Sequence, residues 1–117
     1  MEECGILVVD DDKGVLCLLR ECFRQAGISV QCVENGEEAL LKIQESGIVL
    51  MLTDLNMPGM NGLELARRAR ELAPDLRIIM CTGSLSPEIS ELANSAGIAK
   101  VLGKPFIFPE ILALARR

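Results

Sequence analysis

Two hydrophobic periods take turns along this chain, and that alternation restricts the fold more than any single motif does. Short continuous apolar runs at Ile6–Val9, Ile48–Leu52 and Ile78–Cys81 are rich in branched side chains, the pattern of strands covered on both faces. Ile28–Cys32 alternates apolar and polar residues, as a strand with one solvated face does, and Ile98–Leu102 is interrupted by Lys100; both read as edges. Between the runs lie stripes at i, i+3, i+4, i+7: Val15, Leu18, Leu19, Cys22 and Ala26; Leu65, Ala66, Ala69, Leu72 and Ala73; Ile89, Leu92, Ala93 and Ala96; Phe108, Ile111, Leu112 and Ala115. A shorter helix over Glu37–Gln44 carries Ala39, Leu40 and Ile43.

Local chemistry agrees with these spans. Asn35 and Asn61 each stand three residues before a Glu, Ser86 precedes Pro87 at a first helical position, and Gly27, Gly47 and Gly97 follow three of the helices. Strand–helix alternation repeated in this way predicts an α/β fold, a doubly wound five-stranded parallel sheet with five helices. The flavodoxin-like order 2-1-3-4-5 puts the two edge-type runs at the edges. At 117 residues, with no segment left over for a linker, repeat or low-complexity tail, the chain is expected to be a single domain over residues 1–117.

Composition removes several classes of function. Seventeen acidic against 12 basic side chains give a net charge of −5, and the arginines are scattered apart from Arg67, Arg68 and Arg70, which argues against direct nucleic-acid binding. No apolar run approaches the 18 or more residues of a membrane span, and the start Met1-Glu2-Glu3 lacks a basic leader, so a cytoplasmic protein is expected. The five cysteines, Cys4, Cys17, Cys22, Cys32 and Cys81, contain no C-x-x-C and read as reduced core residues. With no His, Ser-His triads and His-ligated zinc are excluded, leaving carboxylate, hydroxyl and lysine for chemistry.

In a parallel sheet of this order, ligands bind at the carboxyl ends of the strands. The first run ends in Asp10-Asp11-Asp12, the third in Thr53-Asp54, the fourth in Thr82-Gly83-Ser84, and just past the fifth stands Lys104. Carboxylates converging there repel one another unless a divalent cation or a lysine offsets them, and hard oxygen ligands favour Mg²⁺ or Mn²⁺. Taken singly, Asp12 reads as a helix cap, Thr82 as a strand end and Lys104 as a surface charge.

The set as a whole resembles the receiver domain of two-component response regulators, of the chemotaxis-receiver type. The motifs are Ile6-Leu7-Val8-Val9-Asp10-Asp11, then Thr53-Asp54-Leu55-Asn56-Met57-Pro58-Gly59-Met60-Asn61-Gly62, then Thr82-Gly83 and Lys104-Pro105-Phe106. The resemblance runs along the whole chain and implies the following roles. Asp54 accepts a phosphoryl group from a sensor histidine kinase or a histidine phosphotransfer protein. Asp11, Asp54 and the Asn56 backbone carbonyl hold Mg²⁺, with Asp10 acting through a coordinated water. Lys104, the Thr82 hydroxyl and the Gly83 N–H stabilise the transferring phosphoryl oxygens. A cis Lys104–Pro105 bond, a switched surface for a downstream effector or output domain, and self-catalysed phosphorylation and dephosphorylation rather than turnover of a substrate are also implied.

Departures qualify the resemblance. Val101 stands where many receivers carry a rotating aromatic ring, and Ser84 offers no carboxylate or amide to steer a hydrolytic water. Pro58, Gly59 and Gly62 read as turn and helix-start residues, and Met57, Met60, Phe106 and Phe108 as packing. The alternative within the family is a degenerate receiver that binds a partner without phosphorylation. An aspartyl-phosphate phosphohydrolase would want an acid at Asn56, and a flavin-binding electron carrier an aromatic stack that a chain without Trp or Tyr does not offer.

Overall fold

The computed structural model describes residues 5–45 and 47–116. A parallel sheet of strands β1 (Ile6–Val9), β2 (Gln31–Val33), β3 (Leu50–Asp54), β4 (Arg77–Thr82) and β5 (Lys100–Gly103) has the order β2-β1-β3-β4-β5. The helices are α1 (Lys13–Gln25), α2 (Gly36–Glu45), α3 (Gly62–Leu72), α4 (Pro87–Ser95) and α5 (Phe108–Ala115). The period of two along the central strands divides the core. Leu7, Val9, Met51, Ile78 and Met80 face α2, α3 and α4, while Ile6, Val8, Leu50, Leu52, Ile79 and Cys81 face α1 and α5. The expected sheet, its order and its helices are therefore present, and among the described residues no helix is long and apolar enough to cross a membrane.

Helix starts follow the capping chemistry. Asp12 Oδ1 accepts the N–H groups of Gly14 and Val15 at 2.8 and 3.3 Å, Asn61 Oδ1 that of Glu64 at 2.9 Å, and Ser86 Oγ that of Ile89 at 3.1 Å. At α2 Asn35 Oδ1 accepts from Glu38 N at 2.8 Å, while Glu38 Oε1 reaches back one residue beyond the cap to accept from Glu34 N at 3.2 Å.

Four sequence expectations need correction. β2, β3 and β5 begin two or three residues after their apolar runs do. Ile28, Val30, Ile48 and Ile98 pack on the core before their backbone reaches a ladder partner, so hydrophobicity starts earlier than pairing. The second helix, read as short, runs 10 residues against nine for α4 and eight for α5. In α1 the buried stripe is Leu16, Leu19 and Phe23, one step from the stripe expected; Leu18 is exposed, as are Leu72 and Leu92 at the margins of α3 and α4. For the same reason the cysteines are not a core set: of those described all are free, but only Cys81 is buried, Cys22 and Cys32 are half-buried and Cys17 is exposed. Cys4 lies outside the described residues.

Candidate functional site

Each central strand carries an acid or hydroxyl out of the core at its carboxyl end. Asp10 follows β1 directly, Asp54 is the last residue of β3 and Thr82 the last of β4; all three are buried, Asp10 at 4 % and Asp54 at 8 % exposure. Parallel pairing in register sets Asp54 beside Cys81, and Thr82 beside Gly103. The Thr82 carbonyl then accepts the Lys104 backbone N–H at 2.8 Å, and the Lys104–Pro105 bond is cis, as the resemblance implies.

From that anchor the Lys104 ammonium reaches both buried acids, 3.0 Å from Asp54 Oδ1 and 3.2 Å from Asp10 Oδ2. The other Asp10 oxygen accepts the Asp12 N–H at 2.9 Å. Exposed Asp11 completes a group in which one carboxylate oxygen each from Asp10, Asp11 and Asp54 lies within 4.8 Å of the others. Three carboxylates against one ammonium leave two formal negative charges in a crevice walled by protein, with hard oxygen donors converging. Such a donor set fits a small divalent cation.

Titration reflects the crowding. Burial, reinforced by the charge on Asp54, raises the Asp10 pKa above its ordinary value despite the Asp12 N–H and Lys104. Burial pulls Lys104 down, but its hydrogen bond to Asp54 and the charge of Asp10 outweigh that, so the ammonium form is favoured beyond its usual range. Beneath the pair, burial pushes the Cys81 thiol up to about 11, which keeps it protonated.

The sequence-predicted residues are not all equally close. Asp10, Asp11, Asp54 and Lys104 converge. The Thr82 oxygen accepts the Ser84 N–H at 3.0 Å. Asn56 and Gly83 lie on exposed loop segments just past β3 and β4. Two supporting contacts had no sequence assignment. The buried Thr53 hydroxyl donates to the Asp54 carbonyl at 3.0 Å. A Cβ on Gly62 would come within 2.4 Å of that same oxygen, so the start of α3 packs on the backbone of Asp54. A Thr beside an acid at the end of an apolar run was the available cue for the first; the second depends on a chain reversal that spacing alone does not reveal.

The model of the response regulator receiver domain matches residues 6–116. This chain belongs to the response-regulator receiver family. The response regulator receiver protein CpdR of Brucella abortus is 41 % identical over 101 residues, covering 86 % of this chain and 84 % of that one. Two further curated relatives are longer, and the chain spans 45 % and 25 % of their lengths. Among solved structures, the chemotaxis protein CheY4 of Vibrio cholerae superposes with a TM-score of 0.92 at 29 % identity, over 99 % of this chain and 98 % of that one. A response regulator from Burkholderia pseudomallei, solved with a phosphorylated aspartic acid, a calcium ion and citrate, gives 0.86 at 30 % identity over 92 % of this receiver and 64 % of that chain. The receiver family is one of phospho-acceptors rather than of enzymes with a separate substrate, and the flavodoxin-like sheet is the one that its members share.

Proposed function

We propose that residues 1–117 act as one cytoplasmic receiver domain in which Asp54 is the phospho-acceptor. The observation that carries the reading is the position of the Lys104 ammonium, 3.0 Å from Asp54 Oδ1 inside a cluster of three carboxylates. An Asp54 oxygen attacks the phosphorus of a phosphohistidine on a sensor kinase or histidine phosphotransfer protein. The P–N bond breaks, its electron pair returns to the imidazole, and an aspartyl phosphate remains. Lys104 follows the charge that spreads over the phosphoryl oxygens, and the Thr82 hydroxyl and Gly83 N–H complete the donor set from the neighbouring strand end. Asp11, Asp54 and the Asn56 carbonyl would hold Mg²⁺, or Mn²⁺, with Asp10 behind them; the cation neutralises charge on the transferring group when bound.

The Burkholderia regulator with its phosphorylated aspartic acid and calcium ion supports the same pairing of acceptor and divalent cation here. Turning Thr82 toward a phosphoryl group would release Ser84 N–H and disturb the loop into α4, altering the surface offered to a downstream effector. Val101, half-buried against the α2–α4 face of the core, has a β-branched side chain with few rotamers, so the change is carried by that loop and α4 rather than by a turning ring.

Acetyl phosphate and Mg²⁺ should add one phosphoryl mass to the intact protein, and Asp54→Asn should add none. An equal gain on the variant would move the acceptor elsewhere. No gain on wild type from either acetyl phosphate or a phosphorylated kinase would favour the degenerate, phosphorylation-independent receiver.

A further inference from the structure

The corner where β2 runs into α2, residues 33–36, meets two separate arms of the acidic site. On one side the Val33 carbonyl accepts the Asp10 backbone N–H at 3.2 Å, tying the corner to the start of the Asp10-Asp11 pair. On the other, Gly36 is buried as the first residue of α2, where a Cβ would stand 2.7 Å from Met60 Sδ and 3.2 Å from Met60 Cβ and Cγ. Met60 belongs to the loop that leaves Asp54 and carries Asn56. That loop is closed at its base by the Gly62 N–H donating to the Leu55 carbonyl at 2.9 Å, and its outer arm rests on Gly36. The corner itself is stiffened by the Asn35 cap on Glu38 N–H and by Glu38 Oε1 accepting from Glu34 N–H.

We infer that Gly36 is a positioning residue: by leaving room for Met60, it sets the spacing between the Asp10-Asp11 arm and the Asn56 arm, and so the affinity of the site for a divalent cation. This rests on the reading of the site given above. Gly36 is not among the positive-φ glycines, so a side chain there is opposed by Met60 and not by its own backbone. Helix propensity favours almost any other residue over Gly. A substitution can therefore leave the fold intact while pushing the loop outward, which separates positioning from stability.

The test is a titration of the unphosphorylated full chain with Mg²⁺ alone, read by backbone amide NMR, beside thermal unfolding in EDTA. Wild type should respond at Asp10, Asp11, Asp54 and Asn56. Gly36→Val should bind roughly tenfold more weakly, the scale seen when groups that orient metal ligands are removed, with its unfolding midpoint close to that of wild type. Gly36→Ala, a smaller intrusion, should lose less, and it carries the comparison if Gly36→Val does not fold. Combining either with Met60→Ala should recover most of the lost affinity relative to Met60→Ala alone, because the contacts with Sδ at 2.7 Å and Cγ at 3.2 Å are removed and only the one with Cβ at 3.2 Å remains. Unchanged affinity in a folded Gly36 variant, or a loss that Met60→Ala does not recover, overturns the inference. A wild type that shows no Mg²⁺ response at the four residues overturns the reading of the site itself and the inference with it, an outcome distinguished by appearing before any substitution is made.

Discussion

Helices α1 and α4 lie on opposite faces of the sheet and are held in different ways. Over 13 residues α1 buries Leu16, Leu19 and Phe23, and the Phe23 ring meets Phe108 of α5 edge-on with centroids 4.9 Å apart. Over nine residues α4 buries only Ala93, leaving Leu92 at 52 % exposure. Fully burying a large apolar side chain stabilises by about 1.5–3 kcal/mol, and a single methyl by far less, so the two helices differ in the free energy needed to lift them from the sheet. What α4 lacks in burial is partly replaced at its far end. The Arg70 guanidinium on α3 donates to the Pro74, Leu76 and Gly97 carbonyls at 2.7, 2.6 and 2.5 Å, tying the chain just past α4 to the turn after α3. The loosely packed helix is also the one joined directly to the Thr82–Ser86 loop, so local opening and the acidic site share a segment.

The comparison predicts a graded set of effects. Phe23→Ala should lower unfolding free energy by about 3–5 kcal/mol in urea titrations, since the ring is fully buried and its cavity is bounded by two helices and the sheet. A loss below about 1 kcal/mol would mean that α1 is not the anchored side. Arg70→Ala should cost roughly 1–2 kcal/mol, discounted for partial exposure from the usual value of hydrogen bonds to charged groups. Its fingerprint should be local: faster amide exchange at Ala96, Gly97 and Ile98, with α1 amides unchanged. Equal acceleration in both helices would erase the distinction.

The smallest effect concerns the acid two residues before α1's cap. Because the folded state raises the Asp10 pKa, mainly by burial, it binds this proton more tightly than the unfolded chain does, and ionised Asp10 lowers stability at neutral pH. Asp10→Asn should therefore raise the thermal midpoint in EDTA at pH 7. The gain should fade as pH falls through the raised Asp10 pKa and be gone below the ordinary value of 3.8, where wild type also carries a neutral side chain in both states. A gain that persists undiminished in acid would assign the effect to something other than this ionisation.

The architecture was legible because it is written in periodicity. Leu7, Met51 and Ile78 against Ile6, Leu52 and Ile79 needed only the period of two to be assigned to opposite faces. The site was legible because its acids and its lysine occupy strand ends that parallel pairing brings together. Less legible were features that depend on where one element ends against another. Ile28 and Val30 advertise a strand that starts only when Gln31 finds Leu7. The phase of α1 was misread by one residue because Leu18 and Leu19 are equally apolar and nothing local says which faces the sheet. Arg70 stood out in the sequence only as a neighbour of Arg67 and Arg68, whereas its donors are committed to three carbonyls, one of them 27 residues away. The meeting of Gly36 with Met60 likewise leaves no mark on either segment.

The ion pair between Lys104 and Asp10 joins residues 94 positions apart. Closing a contact of such separation costs more chain entropy than forming the local turns of the helices. A ribosome making this chain from its amino end delivers Asp10, Asp11 and Asp54 well before Lys104, so the three acids have no ammonium to face until β5 docks. Of the five strands β5 is made after the others, and the residue just past it brings in the cation that offsets the acidic crevice.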